Sequence, residues 1–598
     1  MFFVYQGVQQ LLDSFARVSK SWGISLPTFI LGCTLVVLAY RRATRISVSH
    51  VPGPEPESFM LGNLPEIFQS QVGVPDFKYQ RLYGDVVRVK GPFGEDRLLI
   101  SDPKALQYIF HTSGSAVHIR QKKKLTSATN LSISGYGFLK WPERTEISRI
   151  LMGRGLLWAD AEIHKRQRKV MLPGFGAPES KSFVPIFRRV GSELTSQWTD
   201  ILASSPDQTA VLNVASWLSR ATMDSIGEGR RIFSSLTVQS SVSFSFTAAF
   251  DYQFGALSNK DNEFMKAYFG LMSDTLGSPP KSAIFMQTIF PVWALQLMSK
   301  FSRARNLVHA RHTANLANAV TRQLVASKAE ALLQGKGNKD ILSLLIKANA
   351  SEKSSTRLTE EEMLAQMRTI LLAGHETSAT TLCWVLLEIA RHPDVQKRLR
   401  DEIRSTEQAI KARGGSDFTA ADLDNMAYLS AVMKESMRFH PAVYQNYRQA
   451  AKDDILPLST PIKTNDGQIL NELPVPKGMK IILSIAAYNR NTEVFGEDAH
   501  VYNPNRWLQQ VEKKGPTLGV YGNLLTFAGG VRTCIGWRFA LYEVLALTVE
   551  IINNFELTLT PDIERLRREA CLVMLPTLEG EQLKGENLPL RVGLAPRD

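Results

Sequence analysis

Cysteine is scarce in this sequence, with four in 598 residues (Cys33, Cys383, Cys534 and Cys571) and no C-x-x-C pair. That scarcity excludes a disulfide framework and points to a reducing compartment. Zinc-finger and RNP-type motifs are also lacking, so the formal net charge of +13 favours acidic partners or anionic membrane surfaces over nucleic acid. No internal repeat is found, and no proline-dense linker follows residue 56. Residues 57–598 therefore read as one large, mainly helical domain.

Charge is what the stretch Ser21–Tyr40, "SWGISLPTFILGCTLVVLAY", lacks. Twenty residues at helical rise match the ~30 Å hydrocarbon core, so 21–40 is expected to be a transmembrane anchor. A signal peptide fits less well, because no small-residue cleavage site precedes Arg41, Arg42 and Arg45. Those arginines put the following chain in the cytosol, although Arg17 and Lys20 on the other flank weaken the bias. In 1–20, Val4, Val8, Leu11, Leu12, Phe15 and Val18 recur at helical spacing, either as an interfacial helix or as an extension of the anchor. Residues 41–56 are basic and proline-rich, ending in "VPGPEP", and read as a stiff hinge.

The clearest helical run begins with Thr359 and Glu362, a capping-box pair, and continues past Arg391. Its centre, "AGHETSATT" (Ala373–Thr381), is rich in poor helix formers. Thr377 can bond back to the Ala373 carbonyl and bend the helix there, while Glu376 adds a titratable group. A solvent-facing patch is the competing explanation. Farther on, Glu435 and Arg438 stand three apart among apolar neighbours, which suggests a buried ion pair needing a further partner, with Arg506 of "NPNRW" as the candidate.

Cys534 lies in "FAGGVRTCIG" (Phe527–Gly536), just before an amphipathic run. A helix start lowers a thiol's pKa, and Gly529, Gly530 and Gly536 let backbone approach a flat cofactor. Arg532 can meet an anionic substituent. For most lone cysteines, a small buried side chain would be the simpler reading.

The segment matches the haem-binding signature F-x-x-G-x-R-x-C-x-G, and the chain resembles the cytochrome P450 family. "AGHET" resembles the oxygen-activating motif of its distal helix, "ESMR" its E-x-x-R pair, "NPNRW" its meander arginine, and the anchor with "VPGP" its microsomal members. The run "GLLWADAEIHKRQRKVMLPGF" looks fungal. The resemblance covers about residues 24–598 and implies a mainly α fold with small β-sheets and an N-terminal transmembrane helix. It implies that Cys534 is the axial ligand of haem b iron. Arg532, Arg448 and Arg168 would hold propionates, with His164 standing where many relatives have tryptophan, and Phe527 and Gly536 would complete the cofactor loop. Thr377 and Glu376 would deliver protons during dioxygen activation. Glu435, Arg438 and Arg506 would be structural.

Two serine/threonine-rich stretches, 115–135 and 229–247, break this pattern. Removing them leaves continuous family-like sequence, so they read as retained introns or as surface insertions. Asn130 and Asn349 are sequons that a cytosolic domain would leave unmodified.

The expected activity is insertion of one atom of O2 into a hydrophobic small molecule, a terpenoid, steroid or polycyclic aromatic. Val443, Tyr444 and Leu371 suggest its apolar pocket. Electrons would come from NADPH through a separate cytochrome P450 reductase, with cytochrome b5 as a second donor, since no flavin or nicotinamide domain is fused. The run "HKRQRK" (His164–Lys169) offers a basic docking face. Membrane lipid is the remaining partner, in the endoplasmic reticulum as a single-pass protein. The alternatives are a haem-thiolate isomerase or dehydratase, and a haem-binding protein inactivated by its inserts.

Overall fold

The structure, a computed structural model, describes residues 46–112, 135–227, 254–258, 280–334, 340–353, 356–509 and 515–596. The N-terminal segment 1–20, the expected anchor 21–40, Asn130, the stretch 229–247 and all of the stretch 115–135 except Gly135 lie outside them. From Ser49 onward the chain forms one compact unit, mainly helical with small sheets.

Eight helices bear on the site: α1 (Pro142–Met152), α2 (Ala161–Met171), α3 (Val184–Ala203), α4 (Val214–Gly227), α5 (Glu360–Arg391), α6 (Pro393–Ala412), α7 (Ala427–Phe439) and α8 (Trp537–Asn554). α5 starts at the capping box read from the sequence: Thr359 Oγ1 accepts from Glu362 N at 3.2 Å, and Glu362 returns a carboxylate oxygen to Thr359 N at 3.0 Å. By length and hydropathy α5 could cross a membrane, but 83% of its apolar window is buried in protein, which makes it the core helix. In its hydroxyl-rich centre Thr377 and Thr381 bond to carbonyls one turn back, while Ser378 Oγ and Thr380 Oγ1 are buried without a hydrogen-bond partner among the described residues. Thr377 donates to Ala373 O at 2.7 Å and Thr381 to Thr377 O at 2.8 Å. The helix is continuous across the expected bend. Gly374 instead marks a close crossing, since a Cβ there would sit 2.0 Å from Ile226 Cδ1 of α4.

α4 packs along α5, and Thr222 donates to the His375 carbonyl at 3.1 Å. α8 packs on α3, where Phe183 and Phe187 meet the edge of Phe539 at centroid distances of 5.6 and 4.9 Å. Each ring buried this way contributes roughly 2–3 kcal/mol. A five-stranded sheet runs in the order Val86–Lys90, Asp96–Ile100, Lys480–Ser484, Gln445–Ala450, Phe138–Leu139. The "VPGP" stretch lies on its edge: Val51 is buried, and Arg88 N donates to Pro52 O at 2.9 Å. In a three-stranded sheet, Pro589–Leu594 sits between Phe555–Leu559 and Thr209–Asn213, which brings the loop before Pro589 against the start of α4.

The flanks of both unusual stretches meet. A Cβ on Gly135 would lie 3.1 Å from Phe110 O, and Asp224 of α4 accepts from Ala256 N and Leu257 N at 2.9 and 2.8 Å. Asn349 is held by Leu358, accepting its N–H at 2.6 Å and donating to its carbonyl at 3.3 Å.

One core group carries a pH signature. Glu543 of α8 is fully buried, with the hydroxyls of Ser225 and Ser378 beside it but no hydrogen bond of good geometry to either oxygen. Burial pushes its carboxyl from 4.5 up to about 8 against the weaker pull of those serines. A raised carboxyl pKa stabilises the fold fully below 4.5, and that stability is lost as pH rises towards 8. Glu543→Gln should remove this decline and gain about 3 kcal/mol at pH 8, measured by urea unfolding at pH 5 and 8. An equal pH dependence in both proteins would refute it.

Candidate active site

The strand Leu524–Gly529 ends in a tight turn, Gly530–Arg532, which delivers Cys534 three residues before α8. Two residues at positive φ shape it, Ala528 at 56° and Gly530 at 62°. A Cβ on Gly530 would lie 1.9 Å from Phe110 O, so glycine is required by contact as well as by backbone angle. Cys534 N donates to Phe527 O at 2.9 Å. Phe527 is half-buried against Tyr521 and Trp537, with centroids 6.4 Å away in each case, and Gly536 is the N-cap of α8.

The Cys534 side chain is accessible although protein encloses it, so it opens onto an internal space. Burial raises its pKa, outweighing the Gly536 amide and Arg168, which both favour the thiolate. This corrects the expectation that the helix start would lower it. Desolvation wins, and a bound metal ion is what would hold the sulfur deprotonated.

Around the loop, cations outnumber carboxylates. Arg448, on the Gln445–Ala450 strand, is buried and pushed down to about 9, first by burial and then by Arg532. Arg168 of α2 is also lowered by burial and faces Cys534. Lys140, which the sequence reading missed, is pushed down to about 7 by burial and donates to the carbonyls of Leu157 and Ala159 at 2.6 and 2.7 Å. The carboxylate acting on this group is Asp160, also missed, which binds Arg532 through Nε at 3.1 Å and through Nη2. Arg532 further donates to Gly135 O at 2.9 Å and covers the Tyr136 ring at 4.5 Å. His164 is buried, its Nδ1 2.6 Å from Tyr136 Oη, and burial pushes it down to about 3, so the imidazole is neutral. Four buried or half-buried cations around one carboxylate, next to an enclosed thiol, fit a planar iron cofactor bearing two carboxylates. Lys140 and Asp160 flank known motifs in sequence, but nothing in their spacing distinguishes them from surface residues.

On α5, Ala373 is exposed and Thr377 half-buried within an otherwise buried helix, whereas His375, Glu376, Ser378 and Thr380 are buried. That pattern excludes the solvent-patch explanation. Glu376 Oε1 lies 3.2 Å from His375 Nε2. Tyr444 spends its hydroxyl on Cys571 O at 2.9 Å and Leu371 is buried, so of the three suggested pocket residues Val443 alone is half-buried.

The expected ion pair exists. Arg438 Nε and Nη2 bind both Glu435 oxygens at 2.9 and 2.7 Å, and Arg506 Nε reaches Glu435 at 3.1 Å. Asn503 N and Trp507 Nε1, which the sequence reading missed, complete the carboxylate at 2.8 and 2.9 Å.

A cytochrome P450 family model matches residues 52–581. The chain is 30% identical to cytochrome P450 monooxygenase 128 of Postia placenta, over 94% of this chain and 96% of that one. A ganoderic acid synthetase of Ganoderma lucidum is 29% identical, over 92% and 94%. The cytochrome P450 monooxygenase claU of Ampulloclitocybe clavipes is 28% identical, over 92% and 93%. With the cysteine turn, its arginines and a match across most of the chain in agreement, this protein belongs to the cytochrome P450 family of oxidoreductases, a family that implies a haem cofactor.

Proposed function

We propose that the protein is a membrane-anchored haem-thiolate monooxygenase of fungal secondary metabolism, supplied with electrons from NADPH by a separate reductase. The observation that carries this is the enclosed but accessible Cys534 thiol beside an excess of guanidinium charge. Haem b, when bound, supplies the iron at which dioxygen is activated, and thiolate ligation favours O–O cleavage. Cys534 holds the iron, Gly530 and Gly536 keep the backbone close, and Phe527 packs beneath the turn. Arg448 and Arg168 bind the propionates, His164 donates a neutral N–H, and Arg532 is oriented for them by Asp160. The Ala373–Thr377 face closes the other side of the cavity, where the Thr377 hydroxyl holds a proton and Glu376 replaces it. Localisation to the endoplasmic reticulum follows from the anchor read at 21–40.

The test is a reduced carbon monoxide difference spectrum, then product formation with a reductase on a panel of terpenoids, steroids and polycyclic aromatics. One relative's name, ganoderic acid synthetase, makes ganoderic acids a product class to look for. A thiolate-type band without NADPH consumption on any substrate would sink the monooxygenase reading.

The basic run on α2 is divided by the fold. Arg168 faces Cys534, Arg166 pairs with Glu362, Lys169 pairs with Glu352 at 2.7 Å, and Lys165 is exposed. Lys165→Glu is expected to lower reductase-supported turnover about threefold at low salt, the difference vanishing at high salt. Equal rates at low ionic strength would refute a docking role.

A further inference from the structure

Beside the cysteine turn, four side chains close a circuit of contacts, and no motif marks one of them, Tyr136. Asp160 caps α2, accepting from Ala161 N at 2.9 Å, and binds Arg532 Nε at 3.1 Å. Arg532 in turn donates to Gly135 O at 2.9 Å and lies 4.5 Å from the centre of the Tyr136 ring. Tyr136 returns to α2, with its Oη 2.6 Å from His164 Nδ1 and the two rings at 65°. One turn of α2 completes the circuit, since His164 N donates to Asp160 O at 3.1 Å. Tyr136 and His164 are 6% and 3% exposed, so little water competes for the bond between them. Burial, and then the charges of Lys140, Arg532 and Arg168, keep the imidazole neutral, so one of its nitrogens carries hydrogen and the other does not. If Nδ1 carried it, that N–H would donate to the phenol oxygen, and the phenol hydrogen would have no acceptor among the described residues. A buried donor left without an acceptor is costly. The arrangement that satisfies both groups has the Tyr136 hydroxyl donating to Nδ1 and the imidazole hydrogen on Nε2. Arg168, four residues on and on the same face of α2, faces Cys534.

We propose that Tyr136 fixes the tautomer of His164, keeping the hydrogen on Nε2 so that the imidazole offers one defined N–H to a haem propionate. A tryptophan at this position needs no such partner, because its single ring nitrogen always carries hydrogen. Histidine has two ring nitrogens, and the bond made by one decides what the other can do. With Nδ1 engaged by Tyr136, Nε2 is the nitrogen left for the cofactor. Tyr136 acts through His164 and is a positioning residue. It directly follows the 115–135 stretch, so the return of that stretch to Gly135 also sets this bond. The proposal rests on His164 serving as a propionate donor in the haem-thiolate reading above.

The test uses the full-length, haem-loaded protein, isotopically labelled at the histidine ring nitrogens and kept reduced under carbon monoxide so that the iron is diamagnetic. Nitrogen NMR reads the tautomer, and the His164 ring is identified by the resonances lost in His164→Phe. Its hydrogen should stand on Nε2 in wild type and be shared between both nitrogens in Tyr136→Phe, which keeps an aromatic ring under Arg532. Hydrogen on Nδ1 in wild type, or an unchanged tautomer in Tyr136→Phe, would overturn the proposal. Transfer of haem to an excess of a haem-free acceptor protein gives a second readout. Loss should be about tenfold faster in Tyr136→Phe, the measure of one hydrogen bond to a charged group. In a His164→Trp background, where the donor needs no partner, adding Tyr136→Phe should leave the rate unchanged. A tenfold rise there would show that Tyr136 acts by packing alone and would refute the proposal. Equal haem loss from wild type and His164→Phe would instead overturn the underlying assignment of His164 as a propionate donor, whatever its tautomer.

Discussion

Cys534→Ser should abolish the thiolate-type carbon monoxide band and reduce monooxygenase turnover by at least 10³-fold, roughly the upper cost of losing one transition-state donor. Serine is nearly the same size, so the loop should keep its shape. The turn is set by the Ala528 and Gly530 backbone angles and by the Cys534 N–H to Phe527 O bond, none of which uses the sulfur. Stability should therefore change by less than about 0.5 kcal/mol, as for substitutions that break no packing or hydrogen bond. A hydroxyl is a harder, weaker ligand for haem iron than a thiolate, so the electronic push is lost while the pocket remains. Spectra and denaturant midpoints of the two proteins test both parts. A retained thiolate band would remove Cys534 from the iron, and with Cys33 outside the described residues and Cys383 and Cys571 buried in the core would undo the site assignment.

Arg438→Ala should cost about 3–5 kcal/mol, the range for removing one partner of a buried ion pair. Arg438 and Glu435 side chains are both 0% exposed, so Glu435 would be left charged without its main partner. The guanidinium also ties α7 to the segment that follows, donating to the carbonyls of Asn489, Ala499 and Val501 at 3.0, 2.6 and 3.1 Å. The first two would be stranded, while Val501 O keeps Arg506 Nη2 at 3.3 Å. Arg438→Lys should recover little, since an ammonium cannot satisfy a two-pronged carboxylate and three carbonyls together. The pair adds an acid limit. Burial alone would raise Glu435, but Arg438 and then Arg506 carry it below its ordinary 4.5. Its contribution is complete above pH 4.5 and disappears as pH falls through the folded value. Urea unfolding at pH 7 gives the answer directly, and a loss under 1 kcal/mol would show that the network is not needed for the fold.

What could be read beforehand was what leaves a local pattern. The Thr359 capping box, the Thr377 back-bond and the Glu435–Arg438–Arg506 triad all follow from spacing of three or four along a helix or from a contiguous motif. Asn503 and Trp507 were missed because one acts through its backbone N–H and the other through an indole beside a better-known arginine. Lys140 and Asp160 were missed for a different reason. Each is an ordinary charged residue in a loop or at a helix boundary, and only long-range packing brings it near the cysteine turn. The Cys534 pKa was misjudged because helix-start effects are local and visible, whereas desolvation depends on everything that encloses the thiol. The helix centre, poor in helix formers, is one continuous helix in which Thr377 makes the back-bond expected of it.

Phe110 O lies within contact of two glycines from different parts of the chain, Gly135 where the 115–135 stretch rejoins the fold and Gly530 in the cysteine turn. One carbonyl thus serves as a shared bearing for the junction of that stretch and for the metal-side loop. Length added between residues 112 and 135 must return its end to this point, where Gly135 also meets Val531 and accepts from Arg532. The junction at Gly135 and the seating of the cysteine turn are in this way mechanically joined.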